Sequence, residues 1–191
     1  MRLREIGGDE SLIVRLQGEL FLRQEKWQDA NGYLKKALQQ SNYDSSAYVA
    51  YAQLMFKTNN FRESAFYYGL ALRFDPFNIE ATVGIGKSLA ELESLEKGVE
   101  YVNNALQMSP YKAALLNGIA EIYLRKGDFN AAIKFADNAL TTSADFALAH
   151  KTKGESYREL KKRKEALDEF TSYSNLNPLD PVGHIEMHKI H

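Results

Sequence analysis

The feature that most constrains this chain is a pattern with a 34-residue period that continues without insertion or deletion. Two columns of small residues show it most clearly, because a small residue recurs in all five copies. The first column is Gly18, Ala52, Gly86, Ala120 and Gly154, and the second is Ala30, Ser64, Gly98, Ala132 and Ala166. Small side chains let the backbones of two helices approach closely. The period therefore predicts a series of similar helical units that pack on one another.

Residues 118–140 show what one such unit contains. Apolar residues fall on one helical face before residue 127 and on another after it. Between the two segments, Gly127 can take the left-handed conformation that ends a helix, and Asp128 can cap the amides of the next helix. The segment predicts two helices joined by a tight turn.

Three further columns keep the same register. A large residue follows the first small column by three places, an aromatic residue stands at the turn, and a proline follows the second helix. These columns are Phe21, Met55, Leu89, Tyr123 and Tyr157; Trp27, Phe61 and Phe129; and Pro76, Pro110 and Pro178. Leu95 and Arg163 interrupt the aromatic column, and Asn42 and Ala144 the proline column. The whole pattern resembles the tetratricopeptide repeat, which implies an all-α, right-handed α-solenoid of five antiparallel helix hairpins.

The register divides the chain into segments. The five repeats are expected at 11–44, 45–78, 79–112, 113–146 and 147–180. Residues 1–10 contain Gly7 and Gly8, a pair expected to break a helix, so they are interpreted as a tail or the remnant of a removed segment. After Asp180 and Pro181, which can start a helix, residues 181–191 are expected to form a capping helix or part of a sixth repeat.

Composition narrows the functional class. The chain has 191 residues, of which 45% are hydrophobic, no cysteine, and a net charge of -1. This balance favours neither nucleic acid nor an anionic membrane as partner, and no run is long and apolar enough to span a bilayer. No signal peptide is visible, so the compartment is open: the cytoplasm is slightly favoured, and the periplasm is the alternative if a signal was removed.

No group of residues in the sequence suggests chemistry. Serines such as Ser88 have no histidine in the same or the adjacent hairpin, so no enzyme activity and no cofactor are predicted. His184, His188 and His191 could form a surface metal clip, but a solvated cap is the favoured interpretation, and no metal is predicted. The basic run at 161–164 is interpreted as a solvated turn rather than an anion site, since nearby acids, Glu169 among them, offset its charge. The glycines of the third repeat, Gly84 among them, are interpreted as close-packing positions rather than a ligand site.

The family resemblance also implies where a partner would bind. In this family the first helix of each repeat lines a concave groove. Carried over by position, the candidate groove residues are Arg15, Glu19, Val49, Gln53, Phe56, Val83, Lys87, Asn117, Glu121, Leu124, Lys151 and Glu155. An apolar middle is expected from Val49, Phe56, Val83, Ala90 and Leu124, which would suit an extended peptide or an amphipathic helix with apolar anchors.

Some members of the family grip a peptide carboxylate with a clamp of Lys, Asn and Arg, but this chain lacks that set. Ala50 stands where the clamp needs Asn, and Glu80 and Gly84 stand where it needs cations. The predicted function is therefore a non-catalytic scaffold or adaptor that binds a protein segment and is not a receptor for chaperone tails. Two alternatives stay open. One is self-assembly, and the other is a role as the targeting arm of a larger enzyme or of a secretion or pilus assembly.

Overall fold

The computed structural model describes residues 3–40 and 44–190, with side chains described from Glu10 onward. Within these ranges the regular structure is α-helix, and no strand occurs there. The helices are α1 (Leu3–Arg23), α2 (Trp27–Gln40), α3 (Ser45–Lys57), α4 (Phe61–Phe74), α5 (Ile79–Leu92), α6 (Leu95–Met108), α7 (Lys112–Lys126), α8 (Phe129–Thr142), α9 (Ala147–Glu159), α10 (Arg163–Leu176) and α11 (Val182–His188). The predicted all-α fold class is confirmed.

The first of two compact units spans Met1–Ser94. In it, α1 packs against α2 and α3 packs against α4, each pair forming a hairpin, and α5 packs against α4. The first helices of successive repeats are also neighbours, because α3 contacts both α1 and α5. The unit therefore has a layer of first helices, α1, α3 and α5, backed by the second helices α2 and α4.

The second unit spans Leu95–His191. In it, α7 and α8 form one hairpin and α9 and α10 another, with α6 packed on α7 and α11 packed on α10. Here α7 contacts α9, so these two first helices lie side by side. The boundary after Ser94 lies between α5 and α6, inside the third repeat.

The turns between helices follow the repeat. Glu25, Asn59, Gly127 and Lys161 stand at the same position of their repeats, and all have a positive φ, between 58° and 83°. The predicted left-handed end at Gly127 is confirmed, and the Asp128 side chain accepts from the Ala131 amide at 3.0 Å as the predicted cap. Each proline of the proline column stands two places after the last residue of a helix.

The small-residue columns hold the hairpins together as predicted. A Cβ added to Gly18 would stand 2.6 Å from the Leu34 side chain, and one added to Gly154 would stand 2.8 Å from the Phe170 ring. The two columns meet directly where the Ser64 hydroxyl donates to the Ala52 carbonyl at 2.9 Å. Larger residues at these places would force the helices apart.

The N-terminal segment differs from the prediction. Helix α1 begins at Leu3 and passes through Gly7 and Gly8, so the expectation that this pair breaks the helix was wrong. Glycine weakens a helix by only about 1 kcal/mol relative to alanine and, unlike proline, removes no backbone hydrogen bond. Residues 1 and 2 lie outside the described ranges.

At the other end, α11 follows Asp180, whose carboxylate accepts from the Val182 amide at 2.9 Å. The Tyr173 hydroxyl donates to the same carboxylate, and burial and this bond together raise the pKa of Tyr173 to about 12. Ile190, only 6% exposed, packs with Ala166 and Phe170. This segment therefore covers apolar surface of α10.

Candidate binding surfaces on the first helices

In the first unit, polar candidate residues contact one another and neighbouring carboxylates. Arg15 forms an ion pair with Glu19 one turn later, and its Nε lies 3.2 Å from Asp44 Oδ2. The side-chain amide of Gln53, on α3, donates to the carboxylate of Glu80, on α5. These contacts hold the polar side chains in place on the layer formed by α1, α3 and α5. The remaining charged candidate of this unit, Lys87, is half-buried on α5.

The apolar candidates of this unit divide into two groups. Val49 and Val83 are 6% and 7% exposed, and Ala90 is 6% exposed. These side chains lie in the interior, since α3 packs between α1 and α5 and α5 packs on α3 and α4. Most of the expected apolar strip is therefore not an open surface. Phe56 is half-buried at the end of α3, where its ring packs edge-to-face on Phe61 with centroids 5.3 Å apart. Phe56 is the partly accessible apolar candidate here.

In the second unit, the candidates lie on α7 and α9. Asn117 is 2% exposed and donates from Nδ2 to Glu121 Oε1 at 3.0 Å, so it belongs to the interior and orients Glu121. Lys151 Nζ and Glu155 Oε1 are 4.0 Å apart on α9. Leu124, near the end of α7, is half-buried. The accessible surface thus combines one apolar side chain with charges of both signs.

Glu155 is the candidate whose ionisation the fold perturbs. Burial raises the pKa of its carboxyl above the usual value, and the positive charges of Lys151 and Arg158 only partly oppose this. Glu121 and Glu186 add like-charge repulsion in the same direction. A carboxylate that is difficult to keep charged gains from a cationic or hydrogen-bonding partner.

The sequence did not predict a cluster of charges in the fifth repeat. His150 Nδ1 lies 2.7 Å from Glu169 Oε2, and Lys153 Nζ lies 2.6 Å from Glu169 Oε1 and 2.9 Å from Asp137 Oδ1. Burial alone would lower the pKa of Lys153, but the hydrogen bonds to Glu169 and Asp137 outweigh it and raise that pKa. Glu169 therefore pairs with His150 and Lys153 and, among the residues that the structure describes, forms no ion pair with the basic run at 161–164. One sequence feature could have indicated this cluster: Lys153 stands at a position that is aromatic or aliphatic in the three middle repeats. The residues there are Tyr51, Ile85 and Ile119.

Two other kinds of feature are absent from the described residues. No helix there has the length and apolar character needed to cross a membrane. No group of three or more His, Asp or Glu side chains there is placed to hold a metal ion, and His191, one of the three C-terminal histidines, lies outside the described residues.

Comparisons with known proteins agree with this architecture. Family models described as tetratricopeptide repeat match residues 21–82 and 83–147. A thermophilic repeat protein of this kind from Thermus thermophilus superposes with a TM-score of 0.71 over 94% of this chain and 98% of its own, at 15% identity. PilW, a type IV pilus biogenesis factor, gives a TM-score of 0.57 at 17% identity, covering 94% of this chain and 84% of its own. No curated protein sequence matches the chain.

The paired helices, the small-residue columns and the recurring turn define a helical-repeat protein whose function lies in its surfaces. The two family models together cover about two thirds of the sequence, and the chain belongs to the tetratricopeptide repeat family. Proteins of this family act as interaction scaffolds that bind protein partners and are typically non-catalytic. The two solved structures, at 15% and 17% identity, are similar to this chain in fold alone.

Proposed function

We propose that this protein is an adaptor that binds an extended peptide or an amphipathic helix on its layers of first helices. The observation that carries the proposal is that Phe56 and Leu124, at the ends of the two first helices α3 and α7, are only half-buried. Side chains of this kind can anchor a partner's apolar residues, while the charged groups around them fix its direction.

The polar candidates support the same proposal. Lys87, Glu121, Lys151 and Glu155 are partly exposed, and they supply both donors and acceptors. A partner would use them for orientation rather than for affinity, since exposed ion pairs contribute little to binding. Apolar anchors are therefore the residues whose removal should cost most.

A capture experiment with matched variants tests this. Wild-type protein, the Phe56→Ala, Leu124→Ala variant and a control variant, Phe66→Ala, Leu179→Ala, are each used to retain proteins from the source cell extract. The control removes exposed apolar side chains, 61% and 97% exposed, that do not lie on first helices. We expect a partner that wild type and control retain and the first variant loses while its helical circular dichroism is unchanged.

The affinity of each variant for that identified partner then shows whether the first-helix surface is the binding site. The two single variants report which unit supplies the larger share of the binding. If the double variant weakens affinity by less than about twofold, which is below roughly 0.5 kcal/mol, the first-helix surface is not the binding site.

Self-association is a second candidate, favoured by a specific observation on α1. Ile13, Leu16 and Leu20 are 53%, 48% and 52% exposed. Their equivalents in the four later repeats are buried, because the second helix of the preceding repeat packs on them. Those buried equivalents are Ala47, Ala81, Leu115 and Ala149; Ala50, Gly84, Gly118 and Thr152; and Leu54, Ser88, Ile122 and Ser156.

Light scattering after gel filtration tests this candidate. A mass that rises with concentration, and that falls to the monomer in Leu16→Glu, Leu20→Glu, would support pairing through α1. Leu12→Glu is the control, because Leu12 is exposed and so are its equivalents in three later repeats, Ser46, Glu80 and Leu148. A monomer mass at all concentrations would exclude it. The role as a targeting arm of a larger enzyme or assembly stays a prediction.

A further inference from the structure

A recess of about 130 Å³ lies in the second unit, where the turn between α9 and α10 meets the end of α11. Four of its five lining residues are cations. They are Arg158, Lys161, Arg163 and Lys189, and the fifth is Ile190. We call this place the cationic recess.

Two of the four cations are held by a carboxylate from α11. Glu186, whose side chain is 12% exposed, accepts from Arg158 with one oxygen and from Lys189, at 2.7 Å, with the other. Arg158 also lies 3.3 Å from Glu159. Within the described ranges, neither Lys161 nor Arg163 forms an ion pair. Two of the four cations of the recess therefore have no ion-pair partner among the described residues.

The fifth repeat departs from the pattern of the other four at this place. Residue 163 is an arginine and is exposed, whereas its equivalents Trp27, Phe61, Leu95 and Phe129 are apolar and half-buried. A cation thus replaces an apolar residue at the start of α10, beside the positive end of the helix dipole, where it raises the local potential.

We propose that the cationic recess binds phosphate, either free or as a phosphate monoester on a partner. A guanidinium presents paired donors that match two oxygens of a phosphate, and lysine adds a point charge. A phosphate monoester carries close to two negative charges at neutral pH, which suits the two cations that have no ion-pair partner among the described residues. Ile190, 6% exposed, provides an apolar wall beside the charges. Although Arg158 lies on a first helix, α9, the proposal does not depend on partner binding at the first-helix surface.

The test is an NMR titration of the ¹⁵N-labelled chain with sodium phosphate at constant ionic strength. We expect saturable shifts at the amides of residues 161–163 and 190. In Lys161→Gln, Arg163→Gln the affinity should fall at least about tenfold. The matched variant Lys162→Gln, Lys164→Gln removes the same charge from the same run but changes no lining residue, and its affinity should fall less than about twofold.

Equal weakening in both variants would show a diffuse field rather than a site and would overturn the proposal. The absence of saturable shifts up to about 50 mM phosphate would also overturn the proposal. Binding of acetate as tight as that of phosphate would overturn it too. A parallel titration with a phosphoserine peptide separates the two sources while keeping the site. Tighter binding of the peptide supports a phosphorylated partner, and tighter binding of orthophosphate supports the free ion.

Discussion

Lys161 and Gly127 occupy the same place in successive repeats, and both have a left-handed backbone, with φ of 60° and 83°. Glu25 and Asn59 share this conformation at the equivalent turns. Glu93, the equivalent residue of the third repeat, does not, with φ of -120°. The left-handed region costs a residue with a Cβ roughly 1 kcal/mol or more, whereas glycine enters it freely. The turn thus imposes a cost at residue 161 that residue 127 avoids.

Replacing Lys161 with glycine should therefore stabilise the protein. We expect Lys161→Gly to raise the free energy of unfolding by about 0.5–1 kcal/mol, because relief of the left-handed strain exceeds the entropy that glycine adds to the unfolded chain. Gly127→Ala should lower it by about 1 kcal/mol through the backbone alone, since an added Cβ meets no atom within 4 Å. Urea unfolding measures both, and a destabilised Lys161→Gly would contradict the strain argument.

Gly84 should not tolerate even a methyl group. A Cβ there would overlap the ring of Tyr68, which is 5% exposed and packed against it from α4. We expect Gly84→Ala to lower the free energy of unfolding by about 1–3 kcal/mol, although alanine is the better helix former.

Gly69→Ala is the control for this prediction, because Gly69 is also helical and an added Cβ meets nothing within 4 Å. It should stabilise by about 0.5–1 kcal/mol. Thermal unfolding compares the two, and if both raise the melting temperature, the close-packing interpretation of Gly84 is wrong.

The raised pKa of Glu155 makes part of the stability depend on pH. The folded state holds this proton more tightly than the unfolded chain, so its contribution is most favourable below the usual value of 4.5 and falls as pH rises through the folded pKa. Glu155→Gln should therefore be more stable than wild type at pH 7, and this advantage should shrink below pH 4.5.

Urea unfolding at pH 7 and pH 4 provides the comparison. Glu100→Gln, which removes a 59% exposed carboxylate, should change stability by less than about 0.5 kcal/mol at both values. An advantage of Glu155→Gln that is the same at both pH values would disprove the assignment to a raised pKa.

Among the residues of the charge cluster in the fifth repeat, Glu169 should be the one whose substitution lowers the free energy of unfolding most. It pairs with Lys153, and both side chains are at most 15% exposed. Glu169→Gln leaves Lys153 with Asp137 alone, so we expect a loss of about 1–3 kcal/mol in the free energy of unfolding. Asp168→Asn, on the adjacent exposed position, should lose less than about 0.5 kcal/mol. Similar values for the two variants would show that the cluster adds nothing to stability.

The periodic elements of this fold could be predicted from sequence because each depends on contacts close along the chain. The left-handed Gly127, the Asp128 cap and the small residues that face Leu34 and Phe170 act within one turn or one hairpin. Repetition five times in one register made each weak pattern reliable. The helix through Gly7 and Gly8 was not predicted, because a glycine pair lowers the stability of a helix without preventing its formation.

The surfaces could be predicted only in part. Position in the repeat placed Phe56 and Leu124 on first helices, but it did not show that Val49, Val83 and Asn117 are buried. Burial of these side chains depends on how closely neighbouring first helices approach one another. That distance is set jointly by the sizes of several side chains on different helices.

The sequence by itself thus determined the repeat, the helices and the turns, because a chain with this period can bury its apolar faces only by stacking similar hairpins. The tertiary structure alone decided which charges meet. Glu186 reaches Arg158 across 28 residues, and Lys153 and His150 meet at Glu169. Such pairs depend on distances between side chains on different helices, and no local pattern in the sequence encodes them.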